Sequence, residues 1–205
     1  MSSYAPVASN SLTEDVAKLL YSNQAKTFLD RYLITSIGEA GFNGEIFIGH
    51  SKSDFKPLAF KVVKKKQWMK RGVWKNEILP QEIAVLYHLK NVPGVIDIVD
   101  YFETKWYYIV VMESFIEAED MYEVIDRQNG FDDYTAKFLF RSILTTVRQM
   151  QEEKIHHLDI KPENILIATH IVIDQEIPFT KIIDLGSAQF MRFEPYIEFC
   201  GTYIK

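Results

Sequence analysis

His157-Leu158-Asp159-Ile160-Lys161-Pro162-Glu163-Asn164, followed after the short apolar runs at 165–167, 171–173 and 182–183 by Asp184-Leu185-Gly186, decides how this chain reads. Taken one at a time, its polar residues say little, because Asp159 and Asp184 are ordinary turn formers. Working outward adds Lys61 in a strand-like run, Glu82 in a helix-like run, and Asp120 just ahead of another helical stretch. Each has a bland explanation too: a surface lysine, a helix-face charge, a helix cap. It is the ordered set, from the glycine-bearing segment at 37–46 through Lys61, Glu82, Asp159-x-Lys161-x-x-Asn164 and Asp184-x-Gly186, that makes coincidence improbable.

Residue patterning supplies the frame for these positions. Leu12, Val16, Leu19 and Leu20 follow the possible cap Ser11 at near-helical spacing, so residues 11–29 are expected to hold an appended helix. From Tyr32 to Val63 the pattern turns to β-branched and aromatic runs broken by Gly41, Gly44, Gly49 and a turn over 51–57, which predicts a three-stranded meander. Residues 77–89 return to helical spacing, with Ile78, Ile83, Leu86 and Leu89 as the apolar stripe and Pro80 in the first turn. Two further strands are expected over 95–101 and 106–112, then helices over 121–127 and 133–153. In the last of these, Phe138, Phe140, Ile143, Leu144, Val147 and Met150 make the expected buried side.

The 157–164 and 184–186 motifs resemble the catalytic loop and the magnesium-binding D-F-G motif of eukaryotic protein kinases, with Leu185 in place of Phe. Ala59-Phe60-Lys61 is similar to the V-A-I-K strand of that family, and 37–46 to its Gly-rich loop. Leu79-Pro80-Gln81-Glu82, the run 95–103, the distance from Glu113 to Asp120, Ile183 to Ser187 and Gly201-Thr202 resemble the Pim group of Ser/Thr kinases more closely. The resemblance covers about residues 32–205 and implies an α+β, bilobal fold. Its first lobe is a five-stranded antiparallel sheet with one helix at 32–113; its second is an incomplete, mainly helical lobe at 114–205, after an extension at 1–31.

The same resemblance implies ATP and Mg²⁺ as cofactors and a protein or peptide substrate. Asp159 would accept or orient the substrate hydroxyl, with Lys161 adding positive charge near the transferred group; Asn164 and Asp184 would hold the metal. Ile37, Gly38, Gly41, Gly44, Ile46, Ala59, Lys61, Glu82, Met112, Glu113, Phe115 and Asp120 would line or support the nucleotide site. Met112 would be the gatekeeper, and Glu82 rather than Glu77 the partner of Lys61. Hard oxygen donors suit Mg²⁺, and phosphoryl transfer needs positioning and cations more than covalent attack.

Several positions depart from the pattern. Ala40 replaces the second loop glycine and Asn43 is inserted; Phe115 replaces a proline and restores a backbone N–H that adenine could use. Leu158 replaces the arginine that normally receives an activation-loop phosphate, so activity independent of that phosphorylation is expected. Residues 168–180 form an unusually long connection, expected as an extended hairpin. The A-P-E region and the helices after it are missing, which leaves a nucleotide-binding but inactive module as the second reading, and a small-molecule kinase as the third.

A net charge of −5 over 205 residues gives no electrostatic reason to expect nucleic acid or an anionic membrane. The basic run Lys64, Lys65, Lys66, Lys70 and Arg71 is expected to be a solvated face, while the kinase resemblance implies that Glu117, Glu119 and Asp120 lie near the site entrance and favour a basic peptide substrate. A single cysteine and the absence of a signal-like start lead to a cytoplasmic or nuclear expectation.

Overall fold

Alternation of side chains along one strand organises the first half of the molecule. In the computed structural model, which describes residues 25–41, 44–115, 118–172 and 175–191, the chain divides into two compact units. The first holds helix α1 (Lys26–Arg31) and strands β1 (Tyr32–Gly41), β2 (Gly44–Ser51), β3 (Pro57–Lys64), β6 (Ile98–Glu103) and β7 (Tyr107–Glu113). These strands form one antiparallel sheet in the order β1-β2-β3-β7-β6. The expected meander and the five-stranded sheet are both present, with the last two strands displaced by one to three residues from the expected bounds.

Successive residues of a strand point to opposite faces. On β3, Leu58, Phe60 and Val62 therefore share one face, and with Phe47, Tyr107, Ile109 and Val111 they build a buried apolar cluster. Ala59 and Lys61 must point the other way. The apolar face is covered by α1, whose Phe28 is fully buried and meets Phe60 edge-on at 5.1 Å and Phe102 at 5.6 Å between ring centroids. Two tethers fix the helix: Arg31 pairs with Asp100 of β6 at 2.5 Å, and Lys52 donates through Nζ to Leu29 O and through its backbone N–H to Arg31 O. Of the helix expected over 11–29, residues before 25 lie outside the described residues.

The second unit contains the hairpin β4 (Arg71–Trp74) and β5 (Glu77–Pro80), helix α2 (Gln81–His88), strand β8 (Glu119–Asp120), helices α3 (Met121–Gln128) and α4 (Asp133–Glu152), and strands β9 (Ile155–His156), β10 (Ile165–Val172), β11 (Gln175–Ile182) and β12 (Gln189–Phe190). The helix expected over 77–89 starts four residues late. Residues 77–80 are a strand paired with 71–74, and the helix begins only at Gln81. Pro80 explains the boundary: it sits at the N-cap with extended ψ 137°, and a proline biases the residue before it away from helical dihedrals. Lys75 and Asn76, both at positive φ, close the hairpin in the left-handed geometry that a two-residue turn requires.

Helices α3 and α4 occupy the expected segments and begin at carboxylate caps. Asp120 accepts from Glu123 N–H at 2.8 Å, and Asp132 accepts from Tyr134 and Thr135 N–H. The buried side of α4 differs from expectation: Leu139, Ile143, Thr146 and Met150 face inward, whereas Phe138, Phe140 and Leu144 are exposed. At 100° per residue, Phe138 and Phe140 fall on either flank of Leu139 and cannot share its face. Thr146 is tolerated inside because its hydroxyl donates to Ser142 O at 3.1 Å. Gly94 must remain glycine here, since a Cβ at that position would lie 1.8 Å from Thr146 Oγ1. The expected hairpin over 168–180 is part of the longer β10–β11 ladder, with its tip at 173–174 outside the described residues.

Removing the Phe28 ring should leave a void that the rigid sheet cannot close. Phe28→Ala is expected to lower unfolding stability by about 3–5 kcal/mol, against less than about 0.5 kcal/mol for Phe55→Ala at an exposed turn position. Urea denaturation measures both, and equal effects would refute the covering role of α1.

Candidate active site

The first unit carries the residues expected at the nucleotide's base and phosphates. Ile37 and Gly38 lie on β1 and Gly41 ends it, while Gly44 and Ile46 lie on β2. Gly41 pairs with Gly44, and the register shifts between Ile37 and Ala40, where the family's loop would have its second glycine. Asn43 lies outside the described residues. Lys61 stands opposite Ile46 on one side and Val110 on the other; Ala59 stands opposite Ile48 and Met112. Ile46, Ala59, Lys61 and Met112 thus share the sheet face opposite the Phe60 cluster. Lys61 is only 6% exposed, a burial that an ammonium tolerates when an anion offsets its lost hydration. Glu113 ends β7 opposite Leu58, and Phe115 follows it by two residues.

The second unit carries the rest. Glu82 lies in the first turn of α2, while Glu77, the competing glutamate, lies on β5 and is not helical. Asp120 caps α3 through one oxygen and pairs in β8 with Leu166. Within the loop at 157–164, Asn164 is buried and donates from Nδ2 to Asp159 O at 2.9 Å and to Asp159 Oδ2 at 3.1 Å. Lys161 Nζ is 3.2 Å from that same Oδ2. Both groups hold the carboxylate in one orientation.

Asn164's amide nitrogen is consumed by these bonds, so its Oδ1 is the atom left to face a cation. Asp184, two residues past Ile182, sits at φ 53° and accepts from Gly186 N–H at 3.4 Å. Among the described residues no cluster of three or more His, Cys, Asp or Glu side chains could hold a metal. The Asn164 amide oxygen and the Asp184 carboxylate are hard oxygen donors, a donor type that Mg²⁺ accepts.

Loop and Asp184 segment are joined through Ile183. Its N–H donates to Asn164 O at 2.9 Å, and its carbonyl accepts from His157 Nε2 at 3.0 Å. His157 is buried, and its Nδ1 accepts from Asp159 N–H at 3.2 Å, so the ring must be the neutral Nε2–H tautomer. Burial, the largest influence, holds its pKa below the ordinary 6.5. A structural role for His157 follows from both bonds. Leu158 takes up left-handed dihedrals at φ 66°, which turns the chain between His157 and Asp159.

With that geometry in place, comparison with known proteins gives the class. The protein kinase domain family matches residues 32–204, and the chain belongs to that family. It is 30% identical over 193 residues to the serine/threonine-protein kinase prk-2 of Caenorhabditis elegans, covering 90% of this chain and 42% of that protein. It is also 30% identical over 179 residues to the serine/threonine-protein kinase pim-2 of Danio rerio, covering 82% of this chain and 55% of that one. A PAS domain-containing serine/threonine-protein kinase of Mus musculus is 30% identical over 174 residues, 82% of this chain and 12% of the relative. The chain thus spans about half the length, or less, of these relatives. Among the described residues no helix is long and apolar enough to cross a membrane.

The tautomer of His157 has a pH consequence. Unfolded, the ring takes a proton as pH drops through 6.5; folded, it resists until lower pH, so the unfolded chain binds more protons in between. Stability should therefore fall as pH falls below about 6.5. His157→Gln should lose stability at about pH 7.5 yet show a shallower further decline to about pH 5.5 in thermal melts. Parallel declines for both proteins would contradict this account.

Proposed function

We propose that this chain is an ATP- and Mg²⁺-dependent protein serine/threonine kinase. The observation that carries the reading is the loop in which Asn164 and Lys161 fix the Asp159 carboxylate while Asn164 and Ile183 tie it to the Asp184 segment. In the proposed reaction the substrate hydroxyl oxygen bonds to the γ-phosphorus, the bond to the β–γ bridging oxygen breaks, and ADP leaves with its electron pair. Asp159 orients the hydroxyl and takes its proton as the oxygen–phosphorus bond forms. Lys161 would offset charge growing on the phosphoryl oxygens, Lys61 would hold the α- and β-phosphates, and Asn164 Oδ1 and Asp184 would hold the metal. The metal they would hold would supply positive charge to the phosphates.

The nucleotide's base would lie against Ile46, Ala59 and Met112, with the backbone at 113–115 at its edge and the Phe115 N–H as an added donor. The Pim-like segments support a preference for basic peptides. Of the acidic stretch, Glu119 is paired with Arg127 at 2.9 Å and Asp120 caps α3, and each carboxylate keeps a second oxygen for a substrate cation. Ala40 and the register shift beside it favour the alternative of a module that binds nucleotide without transferring phosphate.

An assay of the purified chain with ATP, Mg²⁺ and a basic serine peptide decides. Asp159→Asn and Lys61→Met should each lower turnover by at least about a hundredfold. Equal rates in all three proteins would remove the enzyme reading, and nucleotide binding without turnover would select the module. Phosphatase treatment should change the rate by less than about twofold, because Leu158 cannot pair with an activation-loop phosphate; a large loss would contradict that independence.

A further inference from the structure

The β4–β5 hairpin reaches both the helix that bears Glu82 and the strand that follows Asp184. His88, the last residue of α2, donates Nε2–H to Val73 O of β4 at 3.0 Å. Its ring stands edge-on to Trp74 at 4.8 Å and 76°, and edge-on to Phe190 of β12 at 5.0 Å and 79°. Trp74 also lies flat against Tyr87 at 5.7 Å and 9°. At the other end of α2, Gln81 donates from its backbone to Lys70 O at 2.9 Å and from Nε2 to Ala188 O at 2.6 Å.

Both ends of α2 are therefore tied to the hairpin and to residues 188–190. The packing leaves no slack: a Cβ on Gly72 of β4 would come within 2.7 Å of Ala84 Cβ and 3.2 Å of the Phe190 ring. Beyond this, Phe190 pairs with Ile155 of β9, and Met191 N–H donates to Lys154 O at 2.7 Å. β9 runs directly into the 157–164 loop. An unbroken row of contacts thus leads from the hairpin, through His88 and Phe190, to the strand that launches Asp159.

We propose that the hairpin and the row Trp74, His88 and Phe190 form a permanent brace that holds α2, and with it Glu82, in fixed register with the Asp184 segment and the catalytic loop. A helix tied at both ends cannot slide or turn without breaking hydrogen bonds and ring contacts together. These are positioning residues: they order the groups of the reaction without any phosphorylated segment. The functional consequence rests on the kinase reading; the mechanical claim does not.

Hydrogen exchange on the folded chain tests the brace directly. In His88→Ala, which loses both ring contacts and the hydrogen bond, the amides of residues 84–86 and 188–190 should exchange at least about tenfold faster, while β10–β11 keeps its protection. His88→Phe, which keeps the rings, should fall between. Unchanged protection in 84–86, or equal loosening of β10–β11, overturns the brace. Should His88→Ala fail to fold, Phe190→Leu is read by the same two outcomes. In the kinase assay, Glu82→Gln and His88→Ala should each lower turnover by about tenfold or more, with the double variant no worse than Glu82→Gln alone. Multiplying losses would overturn the claim that His88 acts through α2. A wild-type chain without transfer would sink the kinase reading instead, leaving the exchange data to judge the brace.

Discussion

One residue ties the loop together: Ile183, whose N–H donates to Asn164 O and whose carbonyl accepts from His157 Nε2. Inside a protein an unmatched amide or carbonyl costs more than its pairing returns, so this pairing is hard to give up. It sets the neighbouring Asp184 beside Asn164, and Asn164 in turn carries Asp159. His157 can serve only while it is neutral, because a protonated ring has no lone pair for Asp159 N–H. The preceding residue, Ile182, is fastened from the other side, donating to Gly94 O and accepting from Ile96 N–H. Gly94 reaches that place because it lacks a Cβ where Thr146 of α4 passes. A long helix, a loop and the turn at Asp184 are thereby registered to one another through main-chain bonds rather than through long side chains.

The first unit solves a different problem, that of keeping an amine buried on a sheet. Strand alternation gives β3 one face for Phe60 and Val62 and another for Ala59 and Lys61. Apolar packing against α1 anchors the first face, which leaves the second to carry Lys61 beside Ile46, Ala59 and Met112. Packing and chemistry are separated by the pleat, so a substitution in the aromatic cluster can alter stability without touching the groups that would meet a nucleotide.

Much of this was legible from residue order. The meander needed only β-branched runs and glycines, α3 announced itself with Asp120 ahead of helical spacing, and α4 with its long run of apolar residues. The loop residues were recognisable because the order and spacing of Asp159, Lys161 and Asn164 resemble the family's catalytic loop. What failed was periodicity over a mixed segment. Ile78 fits a helical stripe with Ile83 and Leu86, yet it lies on a strand and is 72% exposed. Asn76 and Pro80 carried the contrary signal, a tight turn and a strand end. In α4 the count of large apolar residues misled, because Thr146 satisfies its hydroxyl within the helix and takes an inward place that composition would award to a phenylalanine. His88 and Phe190 could not be paired from sequence at all, since their meeting depends on β12 folding back onto β9.

The family's boundary and the boundary of the folded body do not coincide. The match begins at Tyr32, but the ring that seals the underside of the sheet belongs to Phe28, four positions earlier. Anyone trimming a gene to the recognised domain would remove the plug together with both of its anchors, Arg31 on Asp100 and the Leu29 carbonyl on Lys52. Tyr32, Phe60 and Phe102 would then face water. Failure of such a shortened protein to express would report on where the scissors fell rather than on the catalytic apparatus.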